Sequence, residues 1–122
     1  PEIIFIPFFG DINHDHRRVS EACLVASRPK PGSSVEKVLA YETISETEWG
    51  RGIFREFIPN IYIDISSTIS EKIKAMECYK SELKQYPHPR SLEGIKILAK
   101  KRGIEVGMEY AEAFMLIREV KS

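Results

Sequence analysis

The sequence predicts an α/β fold, a mainly parallel sheet flanked by helices. Three observations carry that expectation. Ile3-Ile4-Phe5-Ile6 is a run of four large apolar residues, which suits a strand buried on both faces of a parallel sheet. His16 to Arg28 carries apolar residues at helical spacing and Val35 to Tyr41 is apolar again, so strand, helix and strand complete a βαβ unit. The 122 residues suit a single domain over 1–122 with one core.

Each element follows in order. Pro7 to Asp15 reads as a loop with Gly10-Asp11 as its turn. In the helix after it, Val19, Ala22, Cys23 and Ala26 share the expected inward face, with Arg17, Arg18, Ser20 and Glu21 outside. Pro29 to Ser34 stops it. Thr43 to Pro59 has no sustained period and bears Trp49, Phe54 and Phe57, so it reads as a long loop, of a length that is usually either functional or disordered. Asn60 to Ile65 is a strand with Ile61, Ile63 and Ile65 on its drier face. Thr68-Ile69-Ser70-Glu71 matches a capping box opening a helix that buries Ile69, Ile73, Met76 and Leu83, and Tyr86-Pro87-His88-Pro89 ends it. Ser91 caps a further helix through Arg102, with Ile95, Leu98 and Ala99 inward and Gly103 just past its end. Gly107 to Val120 fits a helical turn followed by a strand.

Composition narrows the function classes. Lys plus Arg and Asp plus Glu are both 18, so the net charge is zero and the electrostatic footprint of a nucleic-acid binder is missing. No apolar run approaches the roughly 18 residues of a membrane-spanning helix, so no membrane span is expected. Cys23 and Cys78 form no CxxC pair and read as reduced core thiols. Ile3 to Phe9 lacks the basic flank and cleavage site of a signal peptide, which makes the cytoplasm the default compartment. A buried parallel strand directly after Pro1 needs neighbours, so the chain is expected to begin partway through a larger fold; the other reading is a complete chain trimmed of its Met.

The densest set of candidate ligands is Asp11-Ile12-Asn13-His14-Asp15-His16, where the first strand ends and a helix begins. That is where α/β folds place their sites. Imidazole and carboxylate suit zinc, which takes about four ligands, or three and an open water position in a catalytic centre. The competing reading is that Asp15 and its acidic neighbours cap the helix while both histidines are solvated.

Gly10-Asp11-Ile12-Asn13-His14-Asp15-His16-Arg17, with the small-residue helix through Ala22, resembles the second metal motif of the LmbE-like zinc-dependent N-deacetylases. These are relatives of the N-acetylglucosaminyl-phosphatidylinositol deacetylase, PIG-L. The resemblance continues through Ala40-Tyr41-Glu42, Glu48-Trp49, Phe57-Ile58-Pro59-Asn60, Asp64-Ile65-Ser66, Pro87-His88-Pro89-Arg90-Ser91, Arg102-Gly103 and Ala111-Glu112-Ala113-Phe114. It covers nearly the whole chain.

The resemblance implies a Rossmann-like sheet carrying a Zn²⁺ ion held by a His and an Asp of an N-terminal His-Pro-Asp-Asp type motif and by a His of the motif seen here, which is His16. A second Asp of the N-terminal motif acts as general base in such enzymes. That motif is absent, so the chain looks like the C-terminal portion of a deacetylase, with two of three protein ligands and the base missing. Asn13 stands where many members carry a His that stabilises the oxyanion or protonates the leaving amine; Asn donates a neutral hydrogen bond but is no acid. Asp15 reads as a group supporting His16 or as a helix cap, and Asn13 and Asp15 are the expected catalytic-centre residues beside the metal ligand. His14 is expected to be solvated.

Three further residues are candidate substrate contacts. His88 is either a rigid connector or a contact in a neighbouring subunit's site, since several relatives are ring-shaped oligomers. Arg90 can bind a sugar hydroxyl or carboxylate, and Trp49 can stack on a sugar face or anchor its loop. The implied function is removal of acetyl from an N-acetylglucosamine-type substrate, with only part of the site on this chain, which would then be inactive alone. The alternative is a non-catalytic binding or assembly module built on a deacetylase fold. Either way the chain is expected to form a homo-oligomer or to associate with the missing N-terminal segment.

Overall fold

A computed structural model describes all 122 residues. In chain order it contains β1 (Ile3–Pro7), α1 (His14–Ala26), β2 (Lys37–Tyr41), a single 3-10 turn at Glu48–Gly50, β3 (Ile61–Asp64), α2 (Ile69–Glu77), α3 (Leu92–Ile104) and β4 (Ala111–Glu119). The strands form one open sheet in the order β1-β2-β4-β3. This is the expected α/β class, an open sheet flanked by helices. Parallel pairing is found between β1 and β2, from Ile3 opposite Lys37 to Pro7 opposite Tyr41. β4 runs antiparallel to β2, with an irregularity between Val38 and Leu39.

The chain falls into two compact units, Pro1–Ile61 with Phe114–Ser122, and Tyr62–Ala113. In the first, Ile6, Phe8, Val38 and Ala40 are fully buried, and Ile4, Leu24, Phe57, Met115 and Ile117 are among the side chains packed around them. Phe57 meets Phe8 edge-on, with ring centroids 5.3 Å apart. β2 is the strand buried throughout its centre, at Val38, Leu39 and Ala40. β1 is not buried on both faces as its composition suggested. It lies at the edge of the sheet and alternates, so Ile4 and Ile6 turn inward while Ile3 and Phe5 remain 48% and 55% exposed.

α1 is rotated from the expected orientation. Its covered positions are His16, Ser20, Cys23 and Leu24, with Ser27 just beyond its end, whereas Val19, Ala22, Val25 and Ala26 face out. The rotation is set at the first turn, where His16 and Arg17 are tied to the loop after β1. Each further residue advances about 100° around the axis, which carries Ser20 rather than Val19 to the sheet.

In the second unit, α2 packs on α3. Ile69, Ile73 and Met76 are the better covered positions of α2, as the period requires, but the helix ends at Glu77 and Leu83 lies beyond it. The capping box does not form. The Thr68 hydroxyl donates backward to the Ile65 carbonyl at 3.4 Å, and no side chain caps the helix. Ser91 does cap α3, its Oγ accepting from the Gly94 N–H at 3.0 Å, and Ile95 and Ala99 are buried as expected. Gly103 lies inside α3 rather than after it. A Cβ there would collide with the backbone of Met108 and Glu109, so the glycine permits close approach, and the positive φ of 77° falls at Gly107 instead. Residues 111–119 form a nine-residue strand with no helical turn before it. Ala111 and Ala113 are buried in it, a spacing of two that the apolar residues around them masked. Ile63, expected on the drier face of β3, is exposed on that short strand. Neither cysteine is a fully buried core thiol, since Cys23 is partly covered and Cys78 exposed just past α2. No helix is long and apolar enough to cross a membrane.

Candidate functional site

The site lies where β1 gives way to α1. Phe9 and Gly10, rather than Gly10 and Asp11, turn the chain, closed by the Asp11 N–H to the Phe8 carbonyl at 3.3 Å, and Asn13 opens the helix, its Oδ1 accepting from the N–H groups of Asp15 at 2.9 Å and His16 at 3.4 Å. The cap is therefore Asn13, not Asp15. An Asn here satisfies backbone donors that would otherwise be orphaned. Asp15 is exposed in the first turn, where its charge complements the positive end of the helix dipole. His14 begins the helix on the exposed side.

His16, one residue further, points back over the turn. Its Nδ1 is 2.8 Å from Asp11 Oδ2. Asp11 is fully buried, and its other oxygen, Oδ1, accepts from the Thr47 hydroxyl at 2.6 Å. Burial pushes the Asp11 carboxyl above its ordinary 3.8, and the hydrogen bonds from Thr47 and His16 pull against that rise. An ionised carboxylate can only accept, so the proton between the two groups belongs on Nδ1, and in the singly protonated ring the lone pair is then on Nε2. The His16 side chain retains 26% exposure, enough for a ligand or substrate atom to reach it.

The long loop after β2 holds this arrangement in place. Thr47 reaches Asp11, and the Ile12 N–H donates to the Glu46 carbonyl at 3.1 Å. Arg17 Nη1 donates to the carbonyls of Asp11 and Ile12 at 2.8 and 2.9 Å, while its guanidinium lies 4.3 Å from the centre of the Phe54 ring. Trp49 sits in the 3-10 turn of the same loop, 50% exposed. Burial also raises the Glu48 carboxyl, although backbone N–H groups of its own turn oppose the shift.

His88 and Arg90 belong to the second unit. His88 Nδ1 accepts from the Arg90 N–H at 3.0 Å, and the Arg90 guanidinium pairs with Glu82 at 2.7 Å. Both are thus engaged within their own unit. Asp11 was visible in the sequence as a neighbour of His16, but not as the group that orients it. Thr47 was missed altogether. It lies far along the chain in a loop without periodicity, and no spacing rule points from it to the motif.

The donor set decides how zinc fits. His16, with Nδ1 held by a carboxylate and Nε2 open, has the form of a metal-ligating histidine. It is one donor. No group of three or more His, Cys, Asp or Glu side chains that could hold a metal ion is found beside it, where a zinc centre takes three or four protein ligands.

No family model matches the chain. Its fold is similar to that of a conserved protein, TT1542, from Thermus thermophilus, with a TM-score of 0.70 and 22% identity over 100% of this chain and 54% of that one. It is also similar to an N,N'-diacetylchitobiose deacetylase from Pyrococcus horikoshii, described in complex with its inhibitor MPG. There the TM-score is 0.65 and the identity 19%, over 97% of this chain and 46% of that one. These likenesses show a shared fold. The chain spans about half the length of each of these structures.

Proposed function

We propose that the chain carries one part of the site of a zinc-dependent amidase that removes acetyl from an N-acetylglucosamine-type amino sugar. The observation that supports it most is the Asp11–His16 pair at the end of β1, which leaves Nε2 open at the position where α/β folds bind ligands. His16 is the one zinc ligand proposed on this chain, and the remaining ligands and the general base come from polypeptide outside these residues. Asn13, spent on capping α1, acts on the site by fixing the helix start under His16 rather than as a proton donor. Asp15 adds negative charge beside the metal position. Trp49, half exposed on the loop that holds Asp11, is proposed as a sugar-stacking face.

A second reading, a binding or assembly module derived from a deacetylase fold, is favoured by the single-donor count. Acetate release from N,N'-diacetylchitobiose separates the two. The 122-residue chain alone should release none. When polypeptide carrying a His-Pro-Asp-Asp segment is supplied, covalently or as a second chain, release and bound zinc should appear together and both be lost in His16→Ala. Metal-dependent turnover by the isolated chain overturns the shared-site proposal, and a completed protein that binds the sugar without releasing acetate supports the second reading.

A further inference from the structure

We propose that Thr47 is a positioning residue for the His16 imidazole, acting through Asp11. The proposal rests on the reading of His16 as the functional group of this site, and it concerns the direction and tautomer of the ring.

The hydroxyl of Thr47 has one proton to give and lone pairs to accept with. One is occupied, because the Thr43 N–H donates to Oγ1 at 2.8 Å. The proton goes to Asp11 Oδ1 at 2.6 Å. Thr47 is 8% exposed, so neither bond is freely exchanged for water. Its own backbone is closed into a turn by its N–H to the Thr43 carbonyl at 2.9 Å, and the neighbouring Glu46 carbonyl accepts from the Ile12 N–H at 3.1 Å. The hydroxyl is therefore presented from a backbone tied at both sides.

A buried carboxylate with a single partner could swing about its own Cβ–Cγ bond and leave the line of that partner. With Oδ1 held by Thr47, such a swing breaks a short hydrogen bond between buried groups, so an oxygen stays directed at His16 Nδ1. Because the carboxylate only accepts, holding it in line with the ring is what keeps the proton on Nδ1 and the lone pair on Nε2. Valine has nearly the shape of threonine and none of this capacity, so the position separates packing from hydrogen bonding.

The test is nitrogen-15 NMR of the imidazole rings in the metal-free 122-residue chain, well above the ordinary histidine pKa of about 6.5. Wild type should show His16 with a protonated Nδ1 and an unprotonated Nε2. Thr47→Val should shift its tautomer ratio about fivefold or more toward Nε2–H, the effect of losing one hydrogen bond of ordinary net strength. Thr47→Ser should restore the wild-type pattern, and His14 should be unchanged throughout. If the valine variant does not fold, as judged by its amide spectrum, Thr47→Ala reads the same quantity. Asp11→Ala is the reference. A wild-type pattern in Thr47→Val or Thr47→Ala with a mixed one in Asp11→Ala overturns the role of Thr47 alone, whereas a wild-type pattern in Asp11→Ala as well overturns the orientation of His16 on which the proposed function rests. Failure of the serine variant to restore the pattern also overturns the proposal, since it would assign the effect to packing.

Discussion

Gly50 lies so close to Gly10 that a Cβ added to it would overlap the Gly10 carbonyl oxygen and come within 3.0 Å of the Ile12 nitrogen and 3.2 Å of the Asp11 carbonyl carbon. Backbone meets backbone there, between the loop after β2 and the turn that carries Asp11. Contact of this kind cannot be relieved by a side-chain rotation, so it fixes one loop against the other.

Gly50→Ala should therefore cost about 1–3 kcal/mol, the usual penalty of overpacking where nothing flexible can yield. The loss should come with changes in amide shifts from Gly10 to His16. Gly52→Ala is the contrast, because a Cβ at Gly52 has open space and meets only the strain of a positive φ of 87°. Urea unfolding of both variants measures the difference, and a Gly50→Ala protein as stable as wild type would show that the two loops are not clamped.

A pH dependence follows from the turn after β3. Asp64 Oδ1 accepts from both the hydroxyl and the N–H of Ser66, at 2.6 and 2.9 Å, and these bonds hold the carboxyl below its ordinary 3.8. A depressed folded-state pKa contributes stability above the unfolded value that is lost as the pH falls through the folded one. Wild type should thus exceed Asp64→Asn in urea midpoint at pH 7, with the gap narrowing below about pH 3.9. Because Asp64 is exposed the gap should be small, and a gap that widens on acidification would reverse the sign.

Strand and helix positions were legible from apolar runs, caps and breakers, because those signals act within a few residues. Ser91 and the Ile95–Ala99 face of α3 are examples, and so is the loop from Thr43 to Pro59. The rotation of α1 was not legible. Its apolar period points Val19, Ala22 and Ala26 inward, yet the contacts that orient the helix are polar and lie at its first turn, between His16, Arg17 and the loop behind them. Exposure of Ile3 and Phe5 was hidden for a related reason, since the sequence of a strand does not say whether it stands at the edge of its sheet. At the site, the motif around His16 was readable because its residues are neighbours in the chain, whereas Thr47 reaches Asp11 through a turn that only the folded chain brings near.

The same rotation buries Ser20 completely, and its Oγ has no hydrogen-bond partner among protein atoms. A buried unpaired hydroxyl costs stability, and alanine is the better helix former by up to about 0.5 kcal/mol. Ser20→Ala should therefore be neutral to stabilising, with a rise in Tm of up to about 4 °C for a chain of this size. Had Val19 been the inward residue, Val19→Ala would be the costly change. Calorimetry of the two variants decides, and marked destabilisation by Ser20→Ala would mean that the hydroxyl has a partner.

The Asp11–His16 pair makes the sharpest distinction among the acidic residues of the motif. Asp11 is buried against the ring, while Asp15, adjacent in sequence to His16, is exposed and does not touch it. On the proposal that His16 is a zinc ligand, and with the remaining proposed ligands supplied, Asp11→Asn should weaken zinc affinity by about 10–100-fold, the usual cost of removing the carboxylate behind a ligating histidine. An amide can present its NH₂ to Nδ1, which would then accept and leave the proton on Nε2, the wrong tautomer for a ligand. Asp15→Asn should change affinity far less, because it alters only the field at the helix start, and His14→Ala should leave it unaltered. Competition with a chelator of known affinity, run on the three variants alongside their unfolding curves, separates loss of metal from loss of fold. Equal losses in Asp11→Asn and Asp15→Asn would show that charge near the site matters rather than the hydrogen bond to His16, and undiminished zinc in Asp11→Asn would remove Asp11 from the site.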